Sequence, residues 1–273
     1  RARAAVPNFE LTATNYAAVA AICRRLDGLP LALELVASRL RALSPLELLT
    51  RLEDAVPVLS GGSRDLPERQ QTMEAAIDWS FQLLDADSQI ALRRLAPFAG
   101  GWSLEAAEMV VGWADLEGKS IIDLLAGLVE HSLVTAEAQP DGVTRYGMLE
   151  TIRQFARQQA EAAGEFEHLR DRHLAWCLQY AGQAMRELRG PDQQIWLDRL
   201  EREHDNMRAA LLWAGEKAFN KKYELRLATA LWRFWETRGY VTEGRHWLDR
   251  ALSNSDRQPA RIRADALNAA GNL

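Results

Sequence analysis

The chain has 273 residues, of which 48% are hydrophobic and 26% charged, and this composition excludes an intrinsically disordered protein. Its net charge of −5 provides no overall basic field that would attract nucleic acid or an anionic membrane. The sequence has no apolar run long enough to span a bilayer, and its two cysteines are far apart. We therefore expect a cytoplasmic chain with buried, reduced thiols.

Residues 1–65 predict the C-terminal part of a helical domain. Apolar residues at helical spacing predict a helix over 29–43, with Pro30 in the first turn, where a missing N–H leaves no partner unsatisfied. Ser44, which is followed three residues later by a glutamate, predicts the start of the next helix. A Gly/Pro-rich stretch over 56–67 is the first candidate linker.

Residues 66–150 predict a winged helix, in which short helices are followed by a β-hairpin. The apolar period changes from helical to alternating after residue 131, and the Asp-Gly pair at Asp141 predicts the hairpin turn. The helices predicted in this region are Gln70–Leu84, Asp87–Ala96, Ser103–Val111 and Ser120–His131.

The rest of the chain predicts helices alone. Residues 151–190 form connecting helices in this interpretation, and residues 191–273 begin a tryptophan-rich helical repeat array. The first residues resemble the end of a helix, and the last ones stop inside a helical pattern, so we expect a truncated part of a longer protein. The predicted fold class is mainly α: a helical domain, a winged helix with a small β-hairpin, and an α-helical superhelix.

One segment nearly matches a phosphate-binding loop. Residues 112–120 contain two glycines and a Lys-Ser pair, but five residues separate the glycines where the motif has four. The spacing matters because consecutive backbone N–H groups must wrap the phosphates. Asp115 and Glu117 would also repel an anion, so we interpret the segment as an ordinary loop between helices.

The histidines predict no metal site. His168 and His173 are five residues apart and do not share a helix face. His173 lies on an apolar stripe and is interpreted as a core residue, whereas His204, between two carboxylates, is interpreted as solvated or as part of an interface. Since no nucleophile motif accompanies them, we expect this chain not to be an enzyme.

A DNA-reading role for the predicted winged helix has little support in its charges. The last helix before the hairpin, Lys119–His131, carries one lysine against two carboxylates, and the hairpin adds two carboxylates against one arginine. A DNA-reading module needs several cations to neutralise phosphates. We therefore expect a protein-facing winged helix and no direct DNA contact by this chain.

A motif near the N-terminus suggests a family. Residues 23–34 read CRRLDGLPLALE, and this string resembles the helical-domain motif of STAND-class, NB-ARC-like signalling NTPases. In particular, the chain is similar to bacterial transcription regulators that combine such an NTPase with tetratricopeptide repeats. The resemblance implies that Gly28, Leu29 and Pro30 sense the nucleotide, with the proline packed against adenine. Residues 69–80 and 95–102 are similar to the winged-helix domain of the same regulators.

A second motif lies after the predicted hairpin. Met148, Leu149 and Glu150 resemble the Met-His-Asp motif that closes the winged helix on the nucleotide in this family. The family's histidine reaches the β-phosphate, whereas leucine cannot donate a hydrogen bond. The resemblance therefore implies nucleotide sensing with an altered phosphate contact.

The third match lies in the tryptophan-rich region, which resembles a tetratricopeptide repeat. In the repeat, Gly239 would form the turn and Gly244 would lie where two helices touch, while Trp232 departs from the pattern at a position that is usually glycine. A second repeat would begin near Pro259. The residues that match the packing positions are Leu231, Trp235, Gly239, Gly244, Leu248 and Ala251.

Together these resemblances imply the regulatory, sensor portion of an ATP/ADP-switched signal-transduction protein, a transcriptional regulator. An upstream nucleotide-binding domain would bind ADP or ATP with Mg²⁺ and would contact the winged helix, while this chain itself would hold no cofactor. The helical repeats would sense a protein or small-molecule inducer, and the active protein would self-associate. Two alternatives stay open: a helical-repeat adaptor without a nucleotide role, and a direct DNA-binding winged-helix regulator.

Overall fold

The computed structural model describes residues 1–26, 28–59, 68–216, 221–253, 255 and 258–273. This part of the chain is mainly helical and contains a small β-hairpin, which confirms the predicted fold class. The α-helices are α1 (Ala2–Ala5), α2 (Tyr16–Arg25), α3 (Pro30–Ser38), α4 (Pro45–Leu59), α5 (Glu68–Gln82), α6 (Ala86–Arg94), α7 (Leu104–Val111), α8 (Ile121–Glu130), α9 (Glu150–Ala162), α10 (Phe166–Glu187), α11 (Gln193–Arg202), α12 (His204–Glu216), α13 (Lys221–Arg238), α14 (Val241–Ser253) and α15 (Ala260–Asn272). The strands are β1 (Trp102–Ser103), β2 (Thr135–Ala138) and β3 (Thr144–Gly147), and 3₁₀ turns lie at Arg39–Arg41 and Ala114–Leu116.

These elements form two compact units. The first contains residues 1–96 and 112–162, and the second contains residues 97–111 and 163–273. The segment 97–111 lies within the region that the sequence predicts as a winged helix, yet it belongs to the unit with the C-terminal helices. The position of this segment in the sequence therefore does not show which hydrophobic core it belongs to.

In the first unit, α5 is a central element. Helices α3, α4 and α9 pack against it, while α6 packs against α8 and α9. The core residues that these helices contribute are buried almost completely, and they include Leu35, Ile77, Leu92, Leu125 and Ile152. Burial of such side chains, each worth about 1.5–3 kcal/mol, is the main favourable term for this unit.

Helix α3 is shorter than the sequence predicts. It ends at Ser38 and continues as a 3₁₀ turn, so the predicted helix over 29–43 is wrong at its C-terminal end. The buried face consists of Ala32, Leu35 and Val36, whereas Leu33 is only half-buried. Because the helix is apolar on almost every side, the spacing of its leucines does not select the face that packs.

The predicted start of α4 is confirmed. The Ser44 backbone N–H donates to Glu47 Oε2 at 2.8 Å, and the Glu47 N–H approaches Ser44 Oγ at 3.3 Å, a reciprocal capping box. The helix continues to Leu59, so residues 56–59 of the predicted linker are helical, and residues 60–67 lie outside the described part of the chain.

The predicted hairpin is also confirmed. Strands β2 and β3 pair antiparallel, with Thr135 opposite Gly147 and Ala138 opposite Thr144. The turn contains Gly142 at φ +79°, a left-handed conformation in which a side chain would be strained. Asp141 Oδ1 accepts a hydrogen bond from the Val143 N–H at 3.2 Å, which fixes the turn locally.

In the second unit, α13 lies at the centre. Helices α10, α12, α14 and α15 pack against it, and its Phe234 and Trp235 are almost fully buried. The segment 97–111 joins this unit through α7, which packs against α10. Arg172 of α10 donates from Nε to the Val110 carbonyl at 3.2 Å and from Nη2 to the Met109 carbonyl at 2.5 Å. This contact satisfies carbonyls at the C-terminal end of α7 and places a cation at the negative end of its dipole.

Candidate functional site

The first predicted nucleotide-sensing motif lies at the start of α3. Gly28 has φ +66°, and a side chain there would meet nothing within 4 Å, so backbone conformation is the reason for glycine. Leu29 is the N-cap residue and is half-buried, while Pro30 occupies the first helical position with its ring exposed. An exposed proline held by a helix start offers a rigid apolar face to whatever approaches this end of the helix.

The second predicted motif lies at the start of α9. Met148 is half-buried, and Leu149 is 50% exposed directly before the helix. Glu150 is exposed and accepts from Arg153 Nε at 2.8 Å and from Arg153 Nη2 at 2.7 Å. The Arg153 guanidinium lowers the pKa of Glu150, so this carboxylate is ionised and already has a cationic partner.

The two motifs belong to the same unit, and α3 and α9 both pack against α5. No hydrogen bond or ion pair between described side chains joins Gly28, Leu29 or Pro30 to the residues 148–150. The motifs therefore occupy two helix starts on one scaffold and are not a single preformed site.

The predicted repeat-packing residues lie on α13, on α14 and in the turn between them. Gly239 has φ +82°, and its position between the two helices explains the glycine. Gly244 is buried, and a Cβ there would lie 2.6 Å from Cε3 of Trp235. The remaining residues of this group are buried: Leu231, Trp235, Leu248 and Ala251.

A cleft in the second unit contains residues that sequence reasoning missed. It has a volume of about 490 Å³, within the range of small-molecule sites, and it is lined by α10, α13 and α15. Arg189, Arg226 and Arg233 line it together with one carboxylate, Asp265. Arg226 and Arg233 are seven residues apart on α13, and this spacing on one helix face was the available signal.

The exposed face of α8 is the candidate recognition surface of the winged helix. Ile122 is 50% exposed, and Asp123 and Glu130 are exposed on the same helix. The nearby cation, Lys119, holds Asp87 at 2.7 Å, and this contact raises the pKa of Lys119. The face therefore presents an apolar side chain and two carboxylates, which is a poor complement to DNA phosphates.

A buried polar cluster joins three segments of the second unit. Asn206 Oδ1 accepts from the Ala99 N–H at 2.7 Å, and its Nδ2 donates to the Gly101 carbonyl at 2.8 Å and to Glu203 Oε2 at 2.6 Å. His173 Nε2 lies 3.3 Å from Asn206 Oδ1 and 3.8 Å from the sulfur of Cys177.

Cys177 and His173 have the residue types of a catalytic nucleophile and its base, but they lack the protonation states and the solvent access of such a pair. Burial lowers the pKa of His173 to about 4 and raises the pKa of the Cys177 thiol, so both groups are neutral near pH 7. His173 and Cys177 are also almost completely inaccessible to solvent. Their arrangement positions helices and offers no path for a substrate, and the interpretation of His173 as a core residue is confirmed.

Of the two interpretations of His204, as a solvated residue or as part of an interface, the solvated one is wrong. It is 5% exposed and packs against the rings of Phe234 and Tyr240, with centroid distances of 5.0 and 4.6 Å. Its Nε2 lies 3.3 Å from Glu243 Oε1, but desolvation outweighs this charge and lowers the pKa of the imidazole. Glu203 and Asp205, which flank His204 in the sequence, indicated that its side chain is exposed. The side chain is buried because the rings of Phe234 in α13 and Tyr240 in the following turn pack against it.

The nearly matching phosphate loop follows helix α7 and precedes α8, as expected for a loop between helices. Among the described residues no group of histidine, cysteine and carboxylate side chains could hold a metal ion. Within the same ranges, no helix combines the length and apolar character that a bilayer span requires.

Residues 84–161 match the family model described as a winged helix-turn-helix domain. The chain is 41% identical over 255 residues, 93% of its length, to the protein named "Putative HTH-type transcriptional regulator Rv0890c" of Mycobacterium tuberculosis, and equally to "Putative HTH-type transcriptional regulator Mb0914c" of Mycobacterium bovis. It is 37% identical over 166 residues to "Uncharacterized protein Rv0894" of Mycobacterium tuberculosis, a match that covers 60% of this chain and 42% of that protein.

The chain spans 28% of the length of the two relatives named as regulators, so the match concerns one part of much longer proteins. Within the chain, the family match begins at Leu84, directly before α6, and ends within α9. It therefore includes α6, α7, α8 and the hairpin of the predicted winged helix, but it leaves out α5 and extends into α9, which the sequence predicts as a connecting helix. Residues 84–161 of this chain thus form a winged helix-turn-helix domain.

Proposed function

We propose that this chain is the regulatory, sensor part of an ATP/ADP-switched transcriptional regulator. The observation that carries the proposal is the order of its parts. A helix start with an exposed proline is followed by a winged helix-turn-helix domain and then by a helical array with a cleft. The similarity over 93% of the chain to proteins named as transcriptional regulators supports the proposed role in transcriptional regulation.

The helix starts at Pro30 and Leu149 support contact with a separate nucleotide-binding domain. Both side chains are exposed, although apolar surface of this kind is favourable to bury. Pro30 fits the adenine end of a nucleotide, because its ring is a rigid apolar face. Leu149 cannot donate to a phosphate, and Glu150 is already paired with Arg153. In this proposal residues 28–30 and 148–150 close on an ADP- or ATP-Mg²⁺-binding domain, and this chain catalyses no step itself.

The surface of α8 supports a winged helix that binds a protein surface and so stabilises the closed, inactive state of the regulator. Its exposed Ile122 can be buried against a partner, while Asp123 and Glu130 can pair with cations at the rim. A ligand or protein bound to the helices of the second unit would shift the population towards an open, self-associating state, provided that it binds this state more tightly.

The experiment is a calorimetric titration of ADP and ATP into a longer protein that carries this chain, with the 273-residue chain beside it. We expect binding by the longer protein and none by the chain alone. Pro30→Ala should weaken ADP binding about tenfold, whereas Leu46→Ala, a change at another exposed apolar residue near a helix start, should not. An unchanged ADP affinity in Pro30→Ala would favour the adaptor alternative, in which the nucleotide motif has no role.

A second candidate, direct DNA binding by the winged helix, is favoured by the description of the matching family and by the names of the relatives. A mobility-shift titration of the chain at low salt distinguishes it, because phosphate contacts make affinity fall steeply with salt. A complex at submicromolar protein that is lost on Lys119→Gln would support this candidate. The absence of a complex at micromolar protein would exclude it.

A further inference from the structure

The cleft between α10, α13 and α15 is lined by three arginines, by apolar side chains and by other polar groups. Arg226 and Arg233 come from α13, and Arg189 follows the end of α10. The apolar residues of the lining include Trp232, which is 8% exposed, and Leu178. Because α13 packs against both α10 and α15, three helices fix the relative positions of these groups.

The arginines of the cleft differ from others in the same unit. Elsewhere, Arg208 pairs with Glu243 at 2.6 Å and Arg250 pairs with Glu224 at 2.5 Å. In contrast, Arg189, Arg226 and Arg233 form no ion pair with any described residue. Three like charges in one cleft repel one another, and an anion in the cleft would relieve this repulsion.

Arg233 is held in place by a neighbouring ring. The guanidinium carbon lies 4.4 Å from the ring centroid of Trp232, so the ring holds the cation in one orientation. A guanidinium that is stacked in this way still offers its edge to a carboxylate or a phosphate.

We propose that this cleft binds a small amphiphilic anion, with a carboxylate or phosphate at the arginines and an apolar body against Trp232 and Leu178. A volume of about 490 Å³ fits a small molecule and not a folded partner. Asp265, which also lines the cleft, adds one acceptor for a hydroxyl or amino group of the ligand. The inference rests on the proposed sensor role of the second unit and names the chemical class of its ligand.

The experiment uses 8-anilino-1-naphthalenesulfonate, an anion with an aromatic body, as a fluorescent probe of the 273-residue chain. The neutral N-phenyl-1-naphthylamine, which has the same body without the charge, is the control probe. We expect saturable binding of the anionic probe and at least tenfold weaker binding of the neutral one. Hexanoate and hexyl phosphate are then used as competitors, and the one that displaces the probe at lower concentration identifies the preferred head group.

Variants test the location of the site. Arg226→Gln removes an exposed charge and leaves the core intact, and we expect about tenfold weaker binding of the probe, with the same effect for Arg233→Gln. Arg261→Gln, at an exposed arginine that does not line the cleft, should leave the affinity unchanged. Equal binding of the two probes, no saturable binding, or equal affinity in Arg226→Gln and Arg261→Gln would overturn the proposal. Because no nucleotide takes part, failure here would leave the nucleotide switch intact.

Discussion

At the scale of single residues, Asn206 joins separate segments of the second unit through its hydrogen bonds. Its amide group is fully buried, and both of its ends are satisfied by Ala99, Gly101 and Glu203. An asparagine can accept and donate at the same time, and so it can bridge a loop N–H and a loop carbonyl. His173 completes the cluster as a neutral imidazole, since desolvation lowers its pKa to about 4.

The lowered pKa of His173 predicts a loss of stability in mild acid. Between pH 6.5 and 4 the unfolded chain binds a proton at this histidine and the folded chain does not, so the free energy of unfolding falls as the pH falls. From pH 7 to pH 5 we expect a loss of about 2 kcal/mol from this residue. Urea unfolding at the two pH values measures it.

His173→Gln should reduce this pH dependence by the same amount, even if it lowers stability at both pH values. His246→Gln, at an exposed histidine, serves as the control and should retain the full loss. The pKa values of His131 and His204 are also lowered by burial, and their contribution is common to all three proteins. An unchanged pH dependence in His173→Gln would contradict the assignment of the proton to this residue.

At the scale of elements, the contact between α13 and α14 depends on the absence of a side chain at Gly244. An added Cβ would lie 2.6 Å from Cε3 of Trp235 and 2.8 Å from Cδ1 of Leu273. Leu273 lies at the end of the described chain and can rotate away, but the indole of Trp235 is completely buried and cannot. The two helices would therefore have to separate.

We expect Gly244→Ala to destabilise the protein by about 1–3 kcal/mol, although alanine has the higher helix propensity. Gly182→Ala is the matched control, because Gly182 lies inside α10 with nothing within 4 Å of an added Cβ. That change should be neutral or stabilising by up to about 1 kcal/mol. Urea denaturation of the two variants and the parent chain tests the expectation, and a stable Gly244→Ala would show that the helices yield easily.

The elements also show which features a sequence can predict. The capping box at Ser44 and the hairpin turn at Asp141 are local, because residues a few positions apart contain the full hydrogen-bond pattern. The packing face of α3 was mispredicted, since leucines surround that helix. The burial of His204 and the convergence of Arg189 with Arg233 depend on helices distant in sequence, and no local pattern contains that information.

At the scale of the whole molecule, the chain does not divide at a single point. The segment 97–111 belongs to the same unit as residues 163–273. Phe98 contributes ring contacts to His173 and Trp176 at centroid distances of 5.1 and 5.9 Å. Ala99 and Gly101 satisfy Asn206, while Arg172 holds the carbonyls at the end of α7. The C-terminal helices consequently depend on a segment that residues 112–162 separate from them in sequence.

This dependence predicts that residues 163–273 alone do not form the native unit. The fragment would leave Asn206 without two partners, at about 1–3 kcal/mol each, and would lose the buried Phe98, at about 3–5 kcal/mol. The combined loss is comparable to the whole stability of a typical domain. We therefore expect the fragment to lack a cooperative thermal transition in near-ultraviolet circular dichroism, whereas the full chain shows one.

A synthetic peptide of residues 97–111 should restore part of that transition when it is added to the fragment. The same peptide with Phe98→Ala should restore less, because it lacks the ring that contacts His173 and Trp176. A fragment that unfolds cooperatively at the temperature of the full chain would show that the helices of the second unit suffice for its core. In that case Asn206 must find water or other partners in the fragment, since a buried amide is rarely left unsatisfied.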